Sequence, residues 1–276
     1  YDEELQKNTI NIDGKKYRGM IGFYIIEDYK LVTINRLDVE SYLYGVIPNE
    51  ISSKWPVEAI KAQAVAARTY AISNINPNAS YGYDMVDNQN NQVYCGYESE
   101  YKNSNTAVDE TAGEMIYYSN HLINAYFHST SGGKTENSEN VWTYSLPYVR
   151  GVDDEYSNIS PYTTWNKNMN QQYIIEKLKE DEYEVNIIYD IKPIEISENN
   201  RVLLTSIETD CGTIEYKKEK IRSVLGYDLL LSTWFNVDSN NKKVFISASE
   251  NNIESIKEEG ENSIIESSLE QRSEDK

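Results

Sequence analysis

A chain of 276 residues with 39% hydrophobic and 26% charged content is long enough to bury one sizeable core, or a main domain with a smaller lobe. Its 26 basic against 45 acidic residues leave a net charge of -19, which repels a polyphosphate backbone and argues against nucleic-acid binding. A mean hydropathy of -0.66 and the lack of any 18-residue apolar run exclude a membrane span within this sequence.

In chain order, residues 24–26 and 30–34 are β-branched or aromatic runs that read as strands. Asp38 precedes VESYLYGVI and is placed to cap a helix over 39–47, which the Pro48-Asn49 pair then ends. Glu50 is thereby expected at the junction before a second helix, where a side chain can be aimed into a cleft. Pro56 suits a first helical position because its missing N–H would be an orphan there, and no breaker follows, so the second helix is predicted over 56–75. Ile60, Ala64, Ala67 and Ala71 recur at spacings of four and three, an apolar stripe whose small members admit close approach of another backbone. Gln63 and Arg68 interrupt that stripe with groups that are costly to bury unpaired. Two readings stand: both reach into a cleft, or Arg68 forms a structural ion pair and Gln63 caps a neighbouring loop.

Further along, residues 115–118 and 123–127 read as strands, the second running into HSTSGGK, a turn whose glycines permit left-handed conformations and close approach of a ligand. GGKT at 132–135 lacks the first glycine and the spacing of a phosphate-binding loop. The pattern turns polar over 159–200, with a helix over 171–179, and is assigned to a smaller auxiliary lobe. A strand follows at 244–246. Residues 248–276 hold nine acidic against three basic residues and little aromatic content, a composition expected of a solvated, disordered tail. The sum is an α+β pattern of short strands packed on an alanine-rich helix, not a repeated βαβ unit. Cys95 and Cys211 are too far apart for a metal knuckle, and a four-ligand zinc site would need both of them with His121 and His128, so neither a metal nor a cofactor is predicted.

Five segments in order carry a resemblance. YRG at 17–19, the stretch 42–71, YDMVDNQNNQVYCG at 83–96, AYFHSTSGGKTENSENVW at 125–142 and LPYVRGVDD at 146–154 resemble the SpoIID/LytB family of bacterial cell-wall lytic transglycosylases, stage II sporulation protein D among them. The resemblance is dense over the first 150 residues and thins toward 247, so residues 1–247 are taken as a SpoIID-like catalytic domain and 248–276 as a tail. It implies cleavage of the β-1,4 bond between MurNAc and GlcNAc in denuded peptidoglycan strands during engulfment, leaving 1,6-anhydro-MurNAc ends. It also implies a domain outside the cytoplasm, anchored through an upstream membrane segment, with a cell-wall amidase and membrane proteins of the engulfment complex as partners.

The chemistry explains how a lone carboxylate suffices. Glycoside cleavage ordinarily takes an acid and a second carboxylate; in a lytic transglycosylase the sugar's own primary hydroxyl attacks the anomeric carbon, so one residue serves first as acid and then as base. The resemblance assigns that role to Glu50 of GVIPNE, with Tyr42, Ile51 and Trp55 as the apolar neighbours that would keep it protonated. Substrate-binding roles are assigned to Gln63 and Arg68 from the second helix and to His128, Ser129, Ser131 and Tyr148. Asp84 and Gln92 match the family pattern and equally suit a loop-organising role. The chain departs from the family in one respect: GHGVGMSQ-x-GA, expected after the strand at 243–247, is absent. A second reading therefore stays open, that of a catalytically impaired glycan-binding or scaffold protein of the engulfment complex.

Overall fold

The computed structural model describes residues 9–25, 30–76, 78–240 and 243–248, and the acidic segment expected to be a tail lies outside them apart from its first residue. Helix and strand are mixed, as an α+β chain requires, and two compact units form, Tyr1–Phe127 and His128–Lys276. Among the described residues no helix is long and apolar enough to cross a membrane.

The first unit opens with two antiparallel hairpins, β1 (Ile10–Ile12) with β2 (Lys15–Tyr17) and β3 (Met20–Ile25) with β4 (Leu31–Arg36). Gly19 joins them at φ 78°, and a Cβ there would stand 2.3 Å from the Arg36 carbonyl oxygen, so only glycine fits. Arg18 beside it is buried, with Nε and Nη2 donating to Glu100 at 2.6 and 2.9 Å. The YRG segment is thus a clamp on the chain 80 residues downstream.

Three helices form the centre of this unit: α1 (Val39–Glu50), α2 (Val57–Ser73) and α3 (Lys102–Glu110). Asp38 caps α1 as predicted, accepting from Ser41 N at 2.9 Å. Burial by itself would raise its carboxyl, but the hydrogen bonds from Ser41 prevail and hold it below the usual carboxylate range. The predicted stripe Ile60, Ala64, Ala67 and Ala71 is buried. Its partners differ from expectation: Ile60, Ala64 and Ala67 pack with Leu43 and Ile47 of α1 and Ala107 and Val108 of α3, not with short strands, because alanines let helix backbones approach closely. Helix α1 also runs on through Pro48 to Glu50, so the acid sits on the final helical turn and not in a junction. A proline this near a C-terminus leaves only the last turn to be completed beyond it, and Ile51 N closes that turn on Ile47 O at 3.0 Å. Of the two strands predicted here, that over 115–118 shortens to β5 (Tyr117–Tyr118), and that over 123–127 lies earlier, as β6 (His121–Leu122), the two joined by a two-residue turn in which Ser119 and Asn120 both take positive φ.

In the second unit, β8 (Ile188–Ile196), β9 (Val202–Thr209) and β10 (Gly212–Lys217) form an antiparallel sheet in the order β10-β9-β8, and β7 (Trp165–Asn170), β12 (Lys243–Ala248) and β11 (Asn236–Asn240) form another in the order β11-β12-β7. Helices α5 (Gln171–Glu180), matching the 171–179 prediction, and α6 (Lys220–Leu225) supply Ile174, Leu178, Ile221 and Leu225 to a core shared with Ile207 and Leu230. A short α4 (Ser138–Val141) precedes them.

Candidate functional site

Glu50 is half-buried at the C-terminal end of α1. Its Oε1 accepts the backbone N–H of Val93 at 3.2 Å, while Oε2 has no protein hydrogen bond among the described residues. One oxygen is thus fixed and the other open. Val93 belongs to YDMVDNQNNQVYCG, which is tied to both helices at its core: Gln92, fully buried, donates Nε2–H to Ala67 O of α2 at 3.2 Å and accepts at Oε1 from the Tyr42 hydroxyl of α1, also at 3.2 Å. Cys95 N adds a bond to Gly45 O at 3.3 Å. Gln92 therefore organises the loop that holds the acid, and Asp84 does the same further out, accepting Asn76 N at 2.6 Å.

Tyr42 lies parallel to Tyr94, ring centroids 5.4 Å apart. Burial first, and then the negative charge of Glu50, push the Tyr42 hydroxyl well above its ordinary value, so it stays a neutral donor beside the acid. Burial acts likewise on Tyr94, reinforced by the charge of Glu100. Of the other predicted neighbours, Ile51 packs against the helical core whereas Trp55 is 57% exposed.

Gly45 makes this packing possible. An alanine Cβ there would meet Tyr94 ring atoms at 2.5 and 2.8 Å, and that ring is held by its stack on Tyr42. A glycine-to-alanine change inside a helix ordinarily stabilises by about 0.5–1 kcal/mol. At Gly45 the sign is expected to reverse, with a loss of about 1–3 kcal/mol from overpacking in urea unfolding; a stabilised Gly45→Ala chain would show that the ring yields freely.

Arg68 is placed away from any surface. It is 1% exposed, and Nε and Nη2 grip Glu40 at 2.9 and 2.7 Å, while Nη2 and Nη1 also donate to Val108 O at 3.1 Å and Glu114 O at 3.2 Å. This corrects the substrate-binding assignment, since no exposed donor remains for a glycan carboxylate; Arg68 is the structural ion pair that an alanine-rich helix needs in order to bury a cation. Gln63 is half-buried, and its Nε2 is buried without an acceptor, so it does not cap a neighbouring loop.

The remaining predicted residues belong to the second unit. Gly132 and Gly133 take φ of 78° and 113°, giving the tight turn expected of HSTSGGK, and the strand-like pairing of Lys134 with Asp153 closes it. Ser131 is buried in this turn, its hydroxyl bonded to Asp154 Oδ2 at 2.7 Å and Ser157 Oγ at 2.9 Å, so its side chain supports the turn and offers no free hydroxyl to a ligand, a correction to its binding role. Ser129 and His128 keep accessible edges, and Tyr148 is half-buried. Crowding by protein, then the Arg201 guanidinium, hold the His128 imidazole below its ordinary value and favour its neutral form, Asp154 opposing them. Sequence reasoning missed Arg201 altogether: its guanidinium lies 5.3 Å over the Trp234 ring and donates to Lys134 O at 2.8 Å. The signal was a lone arginine in a polar stretch. Cys95 and Cys211 are both exposed and free.

Residues 27–118 match the family described as Stage II sporulation protein, SpoIID, and residues 146–254 match a domain of unknown function, DUF8618. An uncharacterized protein of Brachyspira hyodysenteriae is 40% identical over 160 residues, 57% of this chain and 43% of that protein. The amidase enhancer of Bacillus subtilis is 39% identical over 171 residues, 62% of this chain and 23% of that protein. Stage II sporulation protein D of Bacillus subtilis is 35% identical over 144 residues, 47% of this chain and 42% of that protein. The chain thus spans less than half the length of these curated relatives.

Proposed function

We propose, for a chain that belongs through residues 27–118 to the SpoIID family, that it is a lytic transglycosylase of peptidoglycan with Glu50 as its acid and base. The observation that supports this is the seat of Glu50: one carboxyl oxygen fixed by Val93 N–H, the other open, and a neutral Tyr42 hydroxyl alongside. The open oxygen gives its proton to the GlcNAc O4 as the bond to the MurNAc anomeric carbon breaks. The MurNAc O6 then closes on that carbon, and its proton returns to Glu50. No water is consumed, and the strand ends in 1,6-anhydro-MurNAc. Gln63, His128, Ser129 and Tyr148 remain the proposed substrate-binding residues. The setting is the cell wall outside the cytoplasm during sporulation, the chain being held there through an upstream anchor and working with a cell-wall amidase and membrane proteins of the engulfment complex.

The test is incubation with denuded glycan followed by mass analysis of strand ends. Anhydro-muramoyl ends are the expected product; reducing ends would mean hydrolysis, and no cleavage at all would overturn the enzymatic reading. One observation favours a second reading, the 39% identity to a protein named amidase enhancer. Under it the chain binds glycan and raises amidase turnover without cutting strands itself, and release of stem peptides by an added amidase would rise equally with wild type and with Glu50→Gln.

A further inference from the structure

The second unit contains a cavity of about 540 Å³, within the range of small-ligand sites, walled by the 129–132 turn, by Tyr162 and Trp165, and by Arg201 and Trp234. Arg201 is the unusual member. Three of the five N–H donors of its guanidinium are taken, by Ser232 Oγ, Ser131 O and Lys134 O, all neutral acceptors. Among the described residues no carboxylate forms an ion pair with it; Glu136, the acid that acts on it most strongly from a distance, is already bonded to Ser197, Asn199 and Asn140. A half-buried cation hydrogen-bonded only to neutral partners, with Glu136 and Glu219 acting on it from a distance, borders a cavity that carries the aromatic faces of Trp165 and Trp234.

We infer that this cavity binds a carboxylate-bearing ligand, its carboxylate pairing with Arg201 through a single donor left open there and its body lying against Trp165, Trp234 and Tyr162. The inference does not depend on Glu50 cutting a glycan. In peptidoglycan such a carboxylate has two sources, the lactyl group of muramic acid and the end of a stem peptide, and both offer the same charge to Arg201.

The full chain is titrated with N-acetylmuramic acid, its methyl ester and N-acetyl-D-alanyl-D-alanine, following the indole N–H signals of Trp165 and Trp234 by NMR. At least one of the two acids is expected to move both indoles and to bind roughly tenfold or more tighter than the uncharged ester. Preference for N-acetylmuramic acid assigns the lactyl group as source; preference for the dipeptide assigns the stem peptide. Arg201→Gln is expected to abolish the advantage of acid over ester. Tyr162→Ala, at an exposed wall residue, is expected to weaken acid and ester alike and keep their ratio. Binding of neither acid more tightly than the ester by the unaltered chain, or no change at either indole, would overturn the inference. Neither result bears on the appearance of anhydro ends.

Discussion

Glu50→Gln is expected to lower the rate of anhydro-end formation by roughly 10²–10⁴-fold, the usual contribution of a positioned acid–base group. The amide keeps the shape of the side chain and an oxygen for the Val93 N–H, but it has no acidic proton to give and cannot take one back. Folding should be nearly indifferent, because the side chain is half-buried and makes one hydrogen bond; an unfolding free energy within about 0.5 kcal/mol of wild type is expected. Rate and stability measured on the same preparation therefore separate a catalytic from a structural role. A variant that still forms anhydro ends at the wild-type rate would remove Glu50 from the mechanism.

Glu40→Ala is expected to destabilise the first unit by about 3–5 kcal/mol, because it leaves the Arg68 guanidinium buried with no counter-charge. Glu40 keeps a side-chain exposure of 26%, which puts the effect toward the lower end of that range. Arg68→Ala is expected to cost at least as much, since Val108 O and Glu114 O lose a donor as well. The pair Glu40→Leu with Arg68→Met, which removes both charges and keeps the volume, should lose less than either single variant. Urea unfolding of the three chains decides this, and a loss under about 1 kcal/mol for Glu40→Ala would mean that water reaches the guanidinium.

Much of the first unit was legible because its signals are local. An Asp three residues ahead of the N–H that it accepts, a proline at the start of a helix and a four-three alanine spacing each report on their own neighbourhood; the structure agrees at Asp38 and the stripe, and makes Pro56 the cap residue ahead of Val57 and not the first helical residue. Helix α3 was missed because KNSNTAVDE has almost no apolar face: it buries Ser104 and Asn105 along with Ala107 and Val108. Strand β8 was missed because Pro193 falls inside it; the structure tolerates that proline on a sheet edge with a register shift next to it. For the candidate site, the sequence put Glu50 in a junction just past a helix that in fact runs on to include it, and its partners could not be read at all. Gln92 and Val93 lie more than 40 residues away, and nothing in their spacing says that they close on α1. Arg68 shows the converse, since two readings of one buried cation fit the same pattern until Glu40 was seen to hold it.

Glu40 and Glu50 stand at opposite ends of the same helix, one clamped by Arg68 and the other the proposed acid. Ten residues at about 1.5 Å per residue separate them by roughly 15 Å along the axis, too far for either charge to act on the other appreciably in water. Their link is mechanical. A helix can turn about its own axis like a dial, and with side chains reaching about 6 Å from the axis a turn of about 10° carries a carboxyl roughly 1 Å sideways. A 1 Å misplacement can cost on the order of a hundredfold in rate. The Arg68 grip acts as the indexing pin of that dial, so in the proposed reaction the accuracy of Glu50 is set by an ion pair at the far end of its helix.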